Sequence, residues 1–184
     1  HKEKLGYQVF DNLIKSGFKG NIYPINPDAC EILGFKSVNK ITDVNEDIDL
    51  AIIIVPAAIV PEVLKDCVEK KVSFAIIISS GFSELGEKGK ILQEKIVDII
   101  APSNLRVLGP NCLGIFNTHN NLNTTFAAPK LTKGSIGVIF QSGALGVALL
   151  DWADKYQFGF SKFVSLGNKV DIDESEILNF LKDD

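Results

Sequence analysis

Short apolar runs alternate with helical patterns along most of this chain, and that alternation limits its fold more than any other feature. Residues 49–55 form one such run, and Val60 and Leu64 follow it at helical spacing. The same unit is repeated from Ser73 onwards. Strands that are apolar on both faces, each followed by a helix, form a parallel sheet with helices on both sides. The sequence therefore predicts a doubly wound α/β fold.

The other predicted elements come from the same two periodicities. A helix that begins near Leu5 ends at Gly17, because glycine readily takes the left-handed conformation that terminates many helices. The predicted strands are residues 20–25, 49–55, 73–78, 105–108, 136–140 and 160–166, and the later helices carry Leu92 and Ile96, Leu145 and Trp152, and Ile177 and Leu181.

Residues 116–133 separate two predicted domains, because they lose both periodicities and are rich in Asn and Thr. The first domain is predicted over residues 1–128 and the beginning of a second over residues 134–184. In a doubly wound sheet the first strand lies in the middle, whereas this chain starts with the helix that should follow it. We therefore expect a strand and a glycine-bearing turn before His1, and further elements of the second domain after Asp184.

The composition favours a soluble, cytoplasmic protein. Its net charge of −4, with acids and bases interspersed, argues against a nucleic-acid or anionic membrane surface. No apolar run approaches the roughly 18 residues of a membrane span. The three cysteines have no metal-ligand spacing, so free thiols in a reducing compartment are expected and a metal site is not.

The carboxyl ends of the predicted strands define a candidate pocket. In a doubly wound sheet these ends share one edge, and ligands bind in the crevice beyond it. The side chain of Asn111 offers a donor and an acceptor at this edge, although an Asx turn is the ordinary explanation. The edge would carry Asn26-Pro27, Val55-Pro56, Ile78-Ser79-Ser80 and Gly109-Pro110-Asn111.

A second candidate site lies where the strand 136–140 turns into the next helix. A helix that starts at Ser142-Gly143 points unpaired N–H groups, and roughly half a positive charge from its dipole, at whatever lies in front of it. Gly143 and Gly146 would leave the backbone bare and Ser142 offers a hydroxyl, which favours a phosphate. The alternative is that Gly143 only makes the turn.

A catalytic serine, cysteine or histidine has weaker support from the sequence. A nucleophile elbow requires small residues two positions before and two positions after the serine. Phe140 lies two positions before Ser142 and would crowd that turn. Cys112 is either a reactive thiol or, more commonly for such a residue, a small buried apolar one. His119 lies in a polar loop with no orienting acid in sequence, which is typical of a surface residue.

The chain carries a set of short motifs whose order and spacing resemble those of one family, the α part of the NDP-forming acyl-CoA synthetases, such as acetate-CoA ligase. Succinyl-CoA synthetase α is a more distant relative. The resemblance covers nearly the whole chain. Its motifs are Lys4-Leu5-Gly6-Tyr7, Tyr23-Pro24, Asn26-Pro27, Asp49-Leu50-Ala51, Gly81-Phe82-Ser83-Glu84, Gly109-Pro110-Asn111-Cys112-Leu113-Gly114, Asn123, Thr125-Phe126, Gln141-Ser142-Gly143-Ala144-Leu145, Asp151-Trp152 and Ser165-Leu166-Gly167-Asn168.

The resemblance implies a Rossmann-like CoA-binding domain followed by the start of a flavodoxin-like ligase domain. It implies that Ser142, Gly143 and Ala144 hold a phosphoryl group. It assigns the nucleotide end of CoA to Asn26 and Pro27. The other CoA contacts are expected at Val55, Pro56, Ile78, Ser79, Ser80, Cys112 and Asn111, with Asn111 near the thiol.

The implied reaction is acyl-CoA with ADP and phosphate giving a small carboxylic acid, CoA and ATP. In the family it passes through a phosphohistidine downstream of this chain and uses an ATP-grasp β subunit or domain, with ATP or ADP and Mg. His119 precedes that domain and is not assigned the role, so these residues alone are expected to be inactive. An oligomer is also expected.

Two other functions remain open from the sequence. One is a non-catalytic CoA-sensing module of a protein acyltransferase. The other is an NAD(P)-binding oxidoreductase domain. Two observations argue against it: no G-x-G-x-x-G motif follows a visible strand, and Asn26 stands where a ribose-binding acid is expected.

Overall fold

The computed structural model describes residues 4–127 and 132–182. Its helices follow the predicted periodicity, because each places one apolar stripe against a sheet. The helices are α1 (Leu5–Lys15), α2 (Val60–Glu69), α3 (Glu87–Ile100), α4 (Gly143–Tyr156) and α5 (Glu174–Lys182), and the strands are β1 (Glu31–Ile32), β2 (Phe35–Lys36), β3 (Leu50–Ile53), β4 (Phe74–Ile77), β5 (Arg106–Leu108), β6 (Ile115–Asn117), β7 (Leu122–Asn123), β8 (Lys133–Phe140) and β9 (Phe160–Ser165).

The first domain contains a parallel sheet in the order β3-β4-β5. Val60 and Leu64 of α2 and Ile96 of α3 are fully buried in the core on one face. On the other face Ile76 packs in a second core with Val9 of α1. Helices therefore cover both faces, and the predicted doubly wound α/β class is confirmed.

The second sheet has the order β7-β6-β9-β8. Strands β8 and β9 are parallel, as expected, whereas β6 and β7 are antiparallel additions from the stretch predicted to be irregular. That part of the prediction was wrong, because a strand of two or three residues shows no periodicity before its partner is known. The sheet consequently extends across the boundary predicted at residue 128.

The predicted strand over residues 20–25 is a second correction. The structure contains only an isolated bridge between Ile25 and Val38 in this segment. Within the described residues β3 is an edge strand, and the 20–25 segment faces it across a groove. A strand exists only when a neighbour pairs with its backbone. The strand expected before His1 stays a prediction.

The chain after β9 fastens the two domains together. Backbone N–H groups of Asn168, Val170 and Ile172 donate to carbonyls in and just after β5, at 2.8 to 3.1 Å. Arg106 of β5 forms an ion pair with Asp171, and donates to both of its carboxylate oxygens. These bonds fix the second domain against the edge of the first sheet.

No helix in the described ranges is both long enough and apolar enough to cross a bilayer.

Candidate functional site

A cleft between the domains brings both predicted sites together. Its volume is about 2010 Å³. It is bordered by the carboxyl ends of β3 and β4, by the turn after β5, and by the start of α4. Every residue that the sequence assigned to a ligand lines it: Asn26, Pro27, Val55, Pro56, Ile78, Ser79, Ser80, Asn111, Cys112, Ser142, Gly143 and Ala144.

The cleft is larger than the roughly 300 to 1,000 Å³ of an ordinary ligand pocket. It is this large because it continues into the groove beside β3, where the lining includes the buried side chains of Val9 and Leu13. The groove is mainly apolar, whereas the part at the strand ends carries Asn, Ser and Gln side chains. The strand-end part therefore has several neutral polar groups that would orient a ligand.

Ser79 has a structural role at this edge. Its hydroxyl accepts a hydrogen bond from the Val55 N–H at 3.0 Å and donates to the Val55 carbonyl at 2.6 Å. The residue is 9% exposed, and these two hydrogen bonds tie the ends of β3 and β4 together. The neighbouring Ser80 is exposed and makes no side-chain hydrogen bond within the described part of the chain.

Replacing the two serines separately should therefore have different effects on stability. Ser79→Ala is expected to lower the free energy of unfolding by about 1 to 3 kcal/mol, because both polar groups of Val55 lose their partner. Ser80→Ala is the matched control and should change it by less than about 0.5 kcal/mol. Urea denaturation of the two variants measures the difference, and equal losses would contradict the structural role of Ser79.

The turn after β5 places Asn111 at the floor of the cleft. Asn111 has a φ of 58°, its N–H donates to the Ser79 carbonyl at 2.9 Å, and its side-chain amide lies 3.4 Å from Asn168 Oδ1. Cys112 is buried, which raises the pKa of its thiol to about 12, and Sγ donates to the Ile77 carbonyl. The thiol stays protonated near neutral pH, so Cys112 fits the small-apolar interpretation better than the reactive one.

The start of α4 is open to the cleft at Gly143 but not at Gly146. The Ser142 hydroxyl accepts from the Leu145 N–H and caps the helix. A Cβ on Gly143 would meet no atom within 4 Å. A Cβ on Gly146 would overlap the Phe140 ring, so this glycine permits packing and does not expose backbone to a ligand. That part of the sequence interpretation was wrong.

His119 lies in the exposed turn between β6 and β7 and does not line the cleft. Within the described part of the chain the cleft contains no histidine. Ser142 therefore has no histidine base beside it, and the nucleophile-elbow alternative gains no support.

Asn168 also lines the cleft, although the sequence did not indicate it as a site residue. Asn168 follows β9 and lies close to Asn111, Ser83 and Glu84 of the first domain. The sequence does show Gly167-Asn168 directly after an apolar strand, which indicates a turn at the carboxyl end of β9. Its contacts depend on how the domains dock, which no local pattern specifies.

Comparison with known families identifies both parts of the chain. Residues 1–118 match the family model described as CoA binding domain, and residues 133–184 match that described as succinyl-CoA ligase like flavodoxin domain. The two matches occur in the order that the motifs predicted. The chain belongs to the NDP-forming acyl-CoA synthetase family. The flavodoxin-like nature of the second domain, predicted by resemblance, is thereby confirmed.

Members of the synthetase family are similar over nearly the whole chain. The ADP-forming acetate–CoA ligase of Methanocaldococcus jannaschii is 50% identical over 98% of this chain, which covers 25% of that protein. The α subunit of ADP-forming acetate–CoA ligase I of Pyrococcus furiosus is 43% identical over 98%, with 40% of it covered. This chain therefore spans between a quarter and two fifths of these relatives.

A solved structure from the synthetase family has the same fold. It is acetyl-coenzyme A synthetase 1 of Ca. Korarchaeum cryptofilum, described as dinucleotide forming and in complex with phosphate and ADP. It superposes with a TM-score of 0.96 at 41% identity, covering 100% of this chain and 39% of that one. None of these comparisons supports the acyltransferase or the oxidoreductase alternative.

Proposed function

We propose that this chain binds CoA and a phosphoryl group in one cleft, as the α part of an ADP-forming acyl-CoA synthetase. The overall reaction would interconvert acyl-CoA, ADP and phosphate with a carboxylic acid, CoA and ATP. One observation carries the proposal: the strand-end turns of the first domain and the open start of α4 line the same cavity.

The strand-end turns supply both apolar and polar contacts, which a long ligand with apolar and polar parts, such as CoA, requires. Val55 and Pro56 form an apolar wall, and the exposed hydroxyl of Ser80 and the amide of Asn111 provide polar partners for the pantetheine amides. Asn26 and Pro27 also line the cleft and would contact the nucleotide end. Because the Ser79 hydroxyl is already bonded to Val55, its contribution would be to shape the turn.

The start of α4 fits a phosphoryl group. Gly143 and Ala144 present first-turn N–H groups beside the Ser142 hydroxyl, and the open space at Gly143 lets an anion approach the backbone. When bound, CoA supplies the thiol that accepts the acyl group. These residues would hold the negatively charged group in place and orient it toward the CoA turns.

The remaining parts of the reaction would come from elsewhere. The phosphohistidine, an ATP-grasp subunit or domain with its ATP or ADP and Mg, and the acid-binding groups are assigned outside this chain. The name of the Pyrococcus furiosus relative, an α subunit, supports such an arrangement. Oligomerisation is also expected. The free thiols of Cys30, Cys67 and Cys112 fit a cytoplasmic location.

Isothermal titration calorimetry tests the proposal with CoA and NAD as alternative ligands. We expect a CoA dissociation constant in the micromolar range and no heat of binding with NAD. Binding of NAD without binding of CoA would overturn the proposal.

A further inference from the structure

Asn168 joins the two halves of the proposed cleft. It belongs to the turn after β9 in the second domain, and its amide nitrogen lies 2.7 Å from Glu84 Oε2 and 2.9 Å from Gln93 Oε1. Its carbonyl oxygen faces the amide of Asn111, at 3.4 Å. One side chain therefore contacts both the loop after β4 and the turn after β5.

Glu84 transfers this contact to the backbone next to Ser80. Glu84 Oε1 accepts hydrogen bonds from the N–H groups of Gly81 and Phe82, while Oε2 faces Asn168. Burial would favour the neutral acid, but the hydrogen bonds from Gly81, Asn168 and Phe82 lower the pKa of Glu84 below its ordinary value. The ionised carboxylate thus holds the loop through one oxygen and Asn168 through the other.

The backbone of Asn168 is itself fixed. Its N–H donates to the Pro110 carbonyl at 2.8 Å, and the Leu166 N–H donates to the Phe140 carbonyl at 2.9 Å. Strand β9 pairs with β8, so the turn at Asn168 is adjacent to the turn that carries Ser142. The paired strands and this hydrogen bond join the two turns directly.

The geometry points to Asn168 as a positioning residue that couples CoA binding at the β4 loop to phosphate binding at the start of α4. This inference rests on the proposed function. It requires no contact between Asn168 and either ligand, because the connection passes through Glu84 on one side and the β8–β9 pair on the other.

The test is calorimetric titration of the 184-residue chain with CoA, with and without saturating inorganic phosphate. In the unaltered protein, phosphate should change the CoA dissociation constant by about fivefold or more. In Asn168→Ala the change should fall below about twofold, while the affinity for phosphate alone stays within about twofold of the original. Asn179→Ala, at an exposed asparagine of α5, is the matched control and should retain the full coupling.

Glu84→Gln is a second variant of nearly the same shape. Glutamine has one acceptor oxygen in place of two, so it cannot accept both from Asn168 and from the N–H groups of Gly81 and Phe82. The coupling should again be lost, and this variant decides the matter if Asn168→Ala does not fold. The inference about Asn168 is overturned if the coupling persists in both variants. It is also overturned if the unaltered protein binds CoA with the same affinity whether or not phosphate is present, and in both cases the proposed function stands. Failure of the unaltered protein to bind CoA would instead contradict the proposed function.

Discussion

Replacing Gly167 with alanine is expected to lower the free energy of unfolding by about 3 kcal/mol. Gly167 has a φ of 62°, and a Cβ there would overlap the carbonyl oxygen of Pro110 and lie 2.8 Å from the carbonyl group of Asn111. Both neighbours are backbone at the end of β5, so no flexible side chain can move aside. The alanine must push the second domain away from the first sheet, against the hydrogen bonds that follow Asn168.

Gly34→Ala is the matched control for this variant. Gly34 has a φ of 85°, yet a Cβ there would meet no atom within 4 Å. Gly34→Ala should therefore lower the free energy of unfolding only by the strain of an alanine in the left-handed conformation, about 1 kcal/mol. Guanidinium chloride denaturation of both variants measures the difference. If both variants lose the same free energy of unfolding, the backbone at Gly167 does not approach that of Pro110 and Asn111 closely.

Gly143→Asp should weaken phosphate binding at least about tenfold without destabilising the fold. A carboxylate about 4 Å from a bound anion opposes it by several kcal/mol even at an effective dielectric constant near 20. In the absence of ligand the same charge is favourable at a helix N-terminus, and the open space at Gly143 accommodates the side chain. Calorimetric titration with inorganic phosphate, together with thermal unfolding, measures the two effects.

Gly143→Ala separates charge from shape in this experiment. The methyl group has room and carries no charge, so the affinity for phosphate should stay within about threefold of the original, with little change in unfolding temperature. If alanine weakens binding as much as aspartate does, the site requires bare backbone rather than positive potential. If neither changes it, phosphate does not bind at the start of α4.

The elements that the sequence predicted well are those whose pattern is local. The helix over Val60–Glu69 and the strand over Phe74–Ile77 follow from the spacing of apolar residues that face one core. Their parallel order, and hence the shared edge at their carboxyl ends, follows from the alternation of strand and helix. That is why residues as distant in sequence as Val55 and Asn111 were expected at one edge of the first sheet.

The features that the sequence did not predict depend on partners distant in the chain. Strand β6 exists because Ile115 pairs with Val164, across nearly fifty residues. The contact of Asn168 with Glu84 likewise requires the two domains to be docked. In the same way, Gly146 could be interpreted as bare backbone until the Phe140 ring was placed against it. A local pattern indicates which residues are small or polar, but not what will lie next to them.

The most direct test of the shared cleft is the amide ¹H–¹⁵N spectrum of the chain during titration with CoA and then with inorganic phosphate. We expect CoA to shift the amide signals of Asn26, Val55, Ser80 and Asn111, and phosphate to shift those of Gly143 and Ala144. CoA-induced shifts concentrated on another surface, such as the exposed Trp152 side of α4, with the strand-end amides unchanged, would contradict it.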